Sequence, residues 1–162
     1  MSFDIKQFSF CFNDSEYFNW FANPNEGNLK NIIKWKGLNR NNLFDNRNDF
    51  WNGQKIFTEN LDVENDKIVT NAFIYHLSAP LEFPIIDQFA WKAMRKLKRN
   101  NTNKYFYKWD RDYLEIYIPF FNELYKKHKY EIKHIKIKGV KAEIIKRRML
   151  DRAIWEYGRM LP

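Results

Sequence analysis

The stretch KIVTNAFIYHLSAP (67–80), LEFPIID (81–87) and QFAWKAMRKL (88–97) decides the fold class. Ile68, Val69, Ala72, Phe73, His76 and Leu77 recur at steps of three and four, the spacing of one face of an amphipathic helix. Pro80 ends that helix, because proline has no amide hydrogen for a further turn. Beyond the link, Phe89, Ala90, Ala93, Met94 and Leu97 share one face of a second helix. Asp87 is its natural N-cap, since a carboxylate there accepts from the unpaired N–H groups of the first turn.

Toward the C-terminus, Tyr113, Ile116, Tyr117, Phe120, Phe121, Leu124, Tyr125 and His128 keep helical spacing from Asp112 onward, and Pro119 inside the run predicts a kink or a late start. YEIKHIKIKG (130–139) reads as a short strand or a charged loop, because Ile135 and Ile137 alternate with lysines. AEIIKRRMLDRAIWEYGRML (142–161) predicts a last helix. Toward the N-terminus, QFSFCFNDSEYFNWF (7–21) alternates Phe8, Phe10 and Phe12. It then offers Asn13, Asp14 or Ser15 as the cap of a short aromatic helix. Leu29, Ile32, Ile33 and Trp35 mark another short helix that stops near Gly37. The Asn-rich run 37–53 reads as a loop leading into a helix with Phe50, Trp51, Ile56 and Phe57.

These pieces predict one all-α domain over 1–162. It has an aromatic and Asn-rich part (1–60), a hairpin-like helix with proline link and aspartate helix (61–99), and a long helix with a C-terminal helix (104–162). The expected architecture is a two-lobed helical bundle with at most a minor strand pair. Its cleft lies between the helix at 67–78, Asp87 and the C-terminal helix.

A 44% hydrophobic fraction supports a sizeable core, and 15 Phe, 9 Tyr and 6 Trp make that core largely aromatic. Lys and Arg number 28 against 20 Asp and Glu, a net +8, which favours an anionic partner, nucleic acid first. The single cysteine, Cys11, excludes a disulfide framework and a cysteine zinc site. No run approaches a membrane span, and the first residues lack the order of a signal peptide, so a cytoplasmic location is expected. His76, His128 and His134 show no metal-ligand spacing, and neither a metal nor a cofactor is expected.

The segment from His76 through Pro80 and FPIID to Trp91 resembles the end of the helix-hairpin-helix motif and the aspartate helix of DNA glycosylases. It is similar, more closely, to a family of small uncharacterised bacterial proteins near that superfamily, which also carry a C-terminal segment like LDRAIWEY (150–157). The resemblance spans about half the chain. It implies binding to double-stranded DNA and N-glycosylase chemistry with Asp87 as catalytic carboxylate. Two departures stand beside it. The expected glycine-rich hairpin falls on Glu64 to Ile68, without a glycine, and the place of the Schiff-base lysine falls on Val69, with Lys67 two residues earlier. The resemblance therefore implies a monofunctional glycosylase without lysine-dependent lyase activity. The alternative is a non-catalytic nucleic-acid-binding or protein-interaction module on the same scaffold, with Asp87 as a plain cap.

Candidate nucleic-acid contacts are Lys67, Arg95, Lys98, Arg99, Lys146, Arg147 and Arg148, drawn from the basic runs; taken singly, such runs are solvated helix faces more often than phosphate contacts. His76, Trp91 and Trp109 are candidates for lining a base pocket or stacking on a base. Trp155 reads as core, and Asp151 and Arg152 as ion-pair partners fixing the last helix to its neighbour.

Overall fold

The computed structural model describes residues 3–8, 14–37, 68–99, 104–133 and 135–162, and every statement below concerns those residues. The alternating phenylalanines beyond Phe8, the segment 38–67 with Lys67 and the glycine-free hairpin, and His134 lie outside them.

The described chain is all-α. Helix α1 (Ile5–Phe8) and α2 (Ser15–Ala22) are followed by α3 (Glu26–Trp35), α4 (Ile68–Ser78) and α5 (Gln88–Lys98). A π-helix (Trp109–Tyr117) runs directly into α6 (Ile118–His128), and α7 (Ala142–Met160) closes the order. No strand occurs among the described residues, so 130–139 is a loop there, with Ile132 buried and Ile135 and Ile137 packed on the core.

Local chemistry accounts for the ends. Asn25 caps α3 by accepting from the Asn28 N–H at 2.9 Å. Gly37, at φ +77°, takes the left-handed turn that ends this helix, as expected from its glycine. After α4, turns at 80–82 lead into the link. Pro119 leaves the run unbroken but marks a change in its winding: the chain is π-helical up to Tyr117 and α-helical from Ile118, with the proline, which lacks the N–H for a bond to the turn before it, at the junction. The long helix thus begins at Trp109 rather than at Asp112.

One continuous core joins the elements, from Tyr17 and Ile32 through Phe73, Ile86, Trp91 and Tyr117 to Ile145, Leu150 and Ile154. The tightest packing is between α5 and α7. Gly158 permits it: a Cβ there would lie 2.6 Å from the carbonyl carbon of Phe89 and closer still to its oxygen. Glycine inside a helix costs about 1 kcal/mol relative to alanine, and this approach of backbone to backbone is what offsets it.

Candidate functional site

The link 83–86 is held by its own carbonyls. His76, Tyr113 and Tyr117 are all buried, and each binds one: His76 Nδ1 meets Phe83 O at 2.6 Å, Tyr113 donates to Pro84 O at 2.6 Å, and Tyr117 to Ile85 O at 3.2 Å. A carbonyl only accepts, so His76 Nδ1 carries the proton and Nε2 accepts from the Tyr17 hydroxyl at 2.8 Å. Burial pushes the imidazole down to about 3, so His76 is neutral in this role. The π-helix is itself fixed by Asp112, which accepts from the N–H groups of Tyr107 and Lys108 at 2.7 and 3.1 Å.

At the end of this anchored link, Asp87 caps α5. Its Oδ1 accepts from the N–H groups of Phe89 and Ala90, at 2.9 and 3.0 Å. Both cap bonds go to one oxygen, so the cap does not consume Oδ2. Asp87 also lines a cavity of about 280 Å³ whose other walls are the end of α3 and one stripe of α7.

The α7 stripe is Arg148, Asp151, Arg152 and Trp155, spaced i, i+3, i+4 and i+7 on one helix face. Arg148 is buried and paired with Asp14 (Nε to Oδ2, 2.9 Å) and Asp151, and its guanidinium lies over the rings of Tyr17 and Trp35 at 5.2 and 5.0 Å. Asp14 stands at the N-cap of α2 but makes no cap bond, because both of its oxygens face Arg148. Burial disfavours the charge on Arg148, but Asp151 and Asp14 outweigh it and hold the group protonated. Burial raises the Asp151 carboxyl to about 6 against the pull of Arg148. Arg152 pairs with Glu156 at 3.0 Å and lies over the Trp155 ring at 4.9 Å, while its Nε is buried without a hydrogen-bond partner.

The third wall is Trp35 and Lys36. Burial lowers the Lys36 pKa, and Asp87 and Asp151 push it back up. Its amine is therefore closer to neutrality than that of a surface lysine. The cavity thus combines two indoles, two carboxylates, an amine and two guanidinium groups, the group types that bind a flat polar heterocycle and manage charge at a bond beside it.

The expected cleft is found at Asp87 and the C-terminal helix, but α4 does not line it; α3 does. The reason is that the polar edge of α4, His76, is spent on Tyr17 and Phe83. His76 is therefore a link anchor rather than a pocket residue. Trp91, at 1% exposure, is core against Phe106, and Trp109 is buried in a stack with Tyr113 at 4.6 Å. The indoles at the cavity are Trp35 and Trp155 instead.

Among the expected basic contacts, Arg147 is turned inward, donating to Asn122 Oδ1 at 2.9 Å and lying over Phe121 and Tyr125 at 4.9 and 5.2 Å. Arg148 belongs to the buried triad. Lys146 donates to Lys129 O at 3.3 Å, and Arg95 is half-buried. Lys98 and Arg99 are exposed at the end of α5, away from the cavity lining. Trp35 and Lys36 are not singled out for the site by sequence. Trp155, expected in the core, and Asp151 and Arg152, expected to tie the last helix to its neighbour, line the cavity instead, the two ion pairs with Arg148 and Glu156 lying within α7. For α7 the signal was present, since charged residues at 148, 151 and 152 interrupt an apolar stripe on a single helix face.

Among the described residues no group of His, Cys, Asp and Glu is placed to hold a metal ion, and no helix is long and apolar enough to cross a membrane. No family model, no curated protein and no solved structure matches this chain.

Proposed function

We propose that this protein binds DNA as helix-hairpin-helix glycosylases do, and that it takes a displaced base into the cavity at Asp87 and releases it as a monofunctional N-glycosylase. The observation that carries this reading is an anchored carboxylate on the wall of a polar cavity of about 280 Å³ flanked by Trp35 and Trp155. That volume suits a single base rather than a longer ligand. As the bond between sugar and base breaks, positive charge builds at the anomeric carbon. Asp87, with Oδ2 outside the cap, stabilises that charge or orients water toward it. The net charge of +8 supplies the salt-dependent attraction to phosphate.

The test is base release from duplex oligonucleotides carrying oxidised guanine, uracil, hypoxanthine or alkylated adenine, with wild type against Asp87→Asn. Asparagine is as good an N-cap as aspartate, so the variant keeps the helix start and loses only the negative charge. Release from one substrate that falls at least a hundredfold in Asp87→Asn supports the reading. No release from any of them, with salt-sensitive binding intact, moves the protein to the non-catalytic binding module.

Lys36 favours a second reading, in which the same cavity also cuts the strand. An amine held toward neutrality adds to the aldehyde of an abasic sugar, water leaves, and the resulting iminium lets a neighbouring carboxylate take the proton whose loss expels the 3′ phosphate. Borohydride reduces such an iminium to a stable adduct. Trapping by wild type and not by Lys36→Met supports this reading, and equal trapping by both removes it.

A further inference from the structure

A second surface lies apart from the cavity lining, in the segment Lys104-Tyr105-Phe106-Tyr107-Lys108 that leads into the π-helix. Its side chains alternate. Phe106 turns inward, edge-on to Trp91 at 5.9 Å between ring centroids, and is packed against the core. Tyr105 and Tyr107 stand outward, 68% and 49% exposed. Lys104 and Lys108 flank them, both exposed, and the Lys104 ammonium lies 5.4 Å from the centre of the Tyr105 ring.

The strip is also held in place. Asp112 accepts from the backbone N–H groups of Tyr107 and Lys108, and Phe106 pins the middle. Two large rings are thus presented to solvent on an anchored backbone, so little conformational freedom remains to be lost when something stacks on them. The local charge is positive: over 104–111 the exposed ionic groups are Lys104, Lys108 and Arg111 against Asp110.

We infer that the strip 104–108 is a stacking platform for unpaired bases of a single-stranded nucleic acid, with Tyr105 and Tyr107 under successive bases and Lys104 and Lys108 on the phosphates. The inference rests on the nucleic-acid reading above and adds the form of ligand and a place for it. Aromatic rings interleaved with cations match such a strand because every base offers a π-face and every linkage a charge. A double helix hides its base faces and has no use for two outward tyrosines. Tyr130, 85% exposed beside Lys129 in a turn, carries the same residue types without the anchored alternation, and serves as the internal control.

The experiment is fluorescence anisotropy of a labelled twenty-nucleotide oligothymidylate titrated with the full chain. Tyr105→Ala with Tyr107→Ala weakens binding at least tenfold, while Tyr130→Ala stays within twofold of wild type. Lys104→Gln with Lys108→Gln lowers the slope of log affinity against log salt by about 1.4, the value for two phosphate contacts on a single strand. Equal affinity of the double tyrosine variant and wild type overturns the platform, as does an equal loss in Tyr130→Ala. Base release measured in the same preparations separates the two ideas: release that persists with an unaffected tyrosine variant sinks only the platform. If wild type binds neither oligothymidylate nor duplex at low salt, the nucleic-acid reading falls with it.

Discussion

Two of the three walls of the Asp87 cavity, the link and the end of α3, are built in opposite ways. The link wall is over-determined: three successive carbonyls, of Phe83, Pro84 and Ile85, are each bound by a buried side chain, Asp87 is tied down by its own cap, and Gly158 seats the start of α5 on α7. The α3 wall ends in Trp35 and Lys36 at a helix C-terminus, where backbone bonds to Ile32 and Lys34 and a glycine turn fix the chain, and the side chains rest on ring contacts with Tyr17, Phe73 and Arg148. A carboxylate that must meet a reacting atom gains from a rigid mount, because misplacement by about 1 Å removes most of a catalytic effect. A partly desolvated amine is instead a stored cost: burial opposes its charge, and Asp87 and Asp151 relieve it in part.

Perturbing the link wall should therefore harm the protein, and perturbing the α3 wall should not. The largest effect is expected for Gly158→Ala. Its methyl meets the Phe89 backbone, which no rotamer can relieve, so α5 must move off α7. We expect a loss of at least about 3 kcal/mol, or roughly 6–12 °C in Tm for a chain of this size. A thermal melt within 2 °C of wild type would show that the close approach does not hold the wall.

Next comes acid. The folded His76 lies near 3 against 6.5 for the unfolded group, so between those values the unfolded chain binds the extra proton. The contribution of His76 is fully present above pH 6.5 and lost as pH falls toward 3. Asp151, raised to about 6, acts in the opposite sense and loses its contribution as pH rises through that value, so the total profile mixes the two. The difference between wild type and His76→Phe isolates the histidine. By urea unfolding it should shrink by about 2 kcal/mol from pH 7.5 to 4.5, and a difference independent of pH would mean that the imidazole is not held neutral.

Tyr113→Phe leaves the Pro84 carbonyl without its hydroxyl donor inside the core, and should cost about 1–2 kcal/mol in the same assay. Lys36→Met lies on the other wall. Removing a half-buried charge should leave stability unchanged or raise it by up to about 1 kcal/mol, and a clear loss would break the contrast between the walls. The smallest stability effect is expected for Asp87→Asn, within a few tenths of a kcal/mol, since asparagine caps as aspartate does. A large destabilisation there would mean that the negative charge itself supports the fold.

The helices that place the carboxylate are legible from local sequence alone. Periodicity from Ile68 to Leu77 and from Phe89 to Leu97, a proline between them and Asp87 at the cap are local facts, because helix faces and caps depend on residues within four positions of each other. The all-α class follows from the same local rules. Long-range packing sets which polar groups share the cavity and which are consumed elsewhere. His76, Trp91, Trp109, Arg147 and Arg148 carry the types expected of a nucleic-acid site, yet partners distant in sequence, such as Tyr17 for His76 and Asp14 for Arg148, take them into the interior. Lys36 and Asp87, 51 positions apart in the chain, line one cavity, a juxtaposition that no spacing rule covers. A buried polar group must find a partner wherever the fold provides one, and the fold, not the sequence neighbourhood, sets who is near.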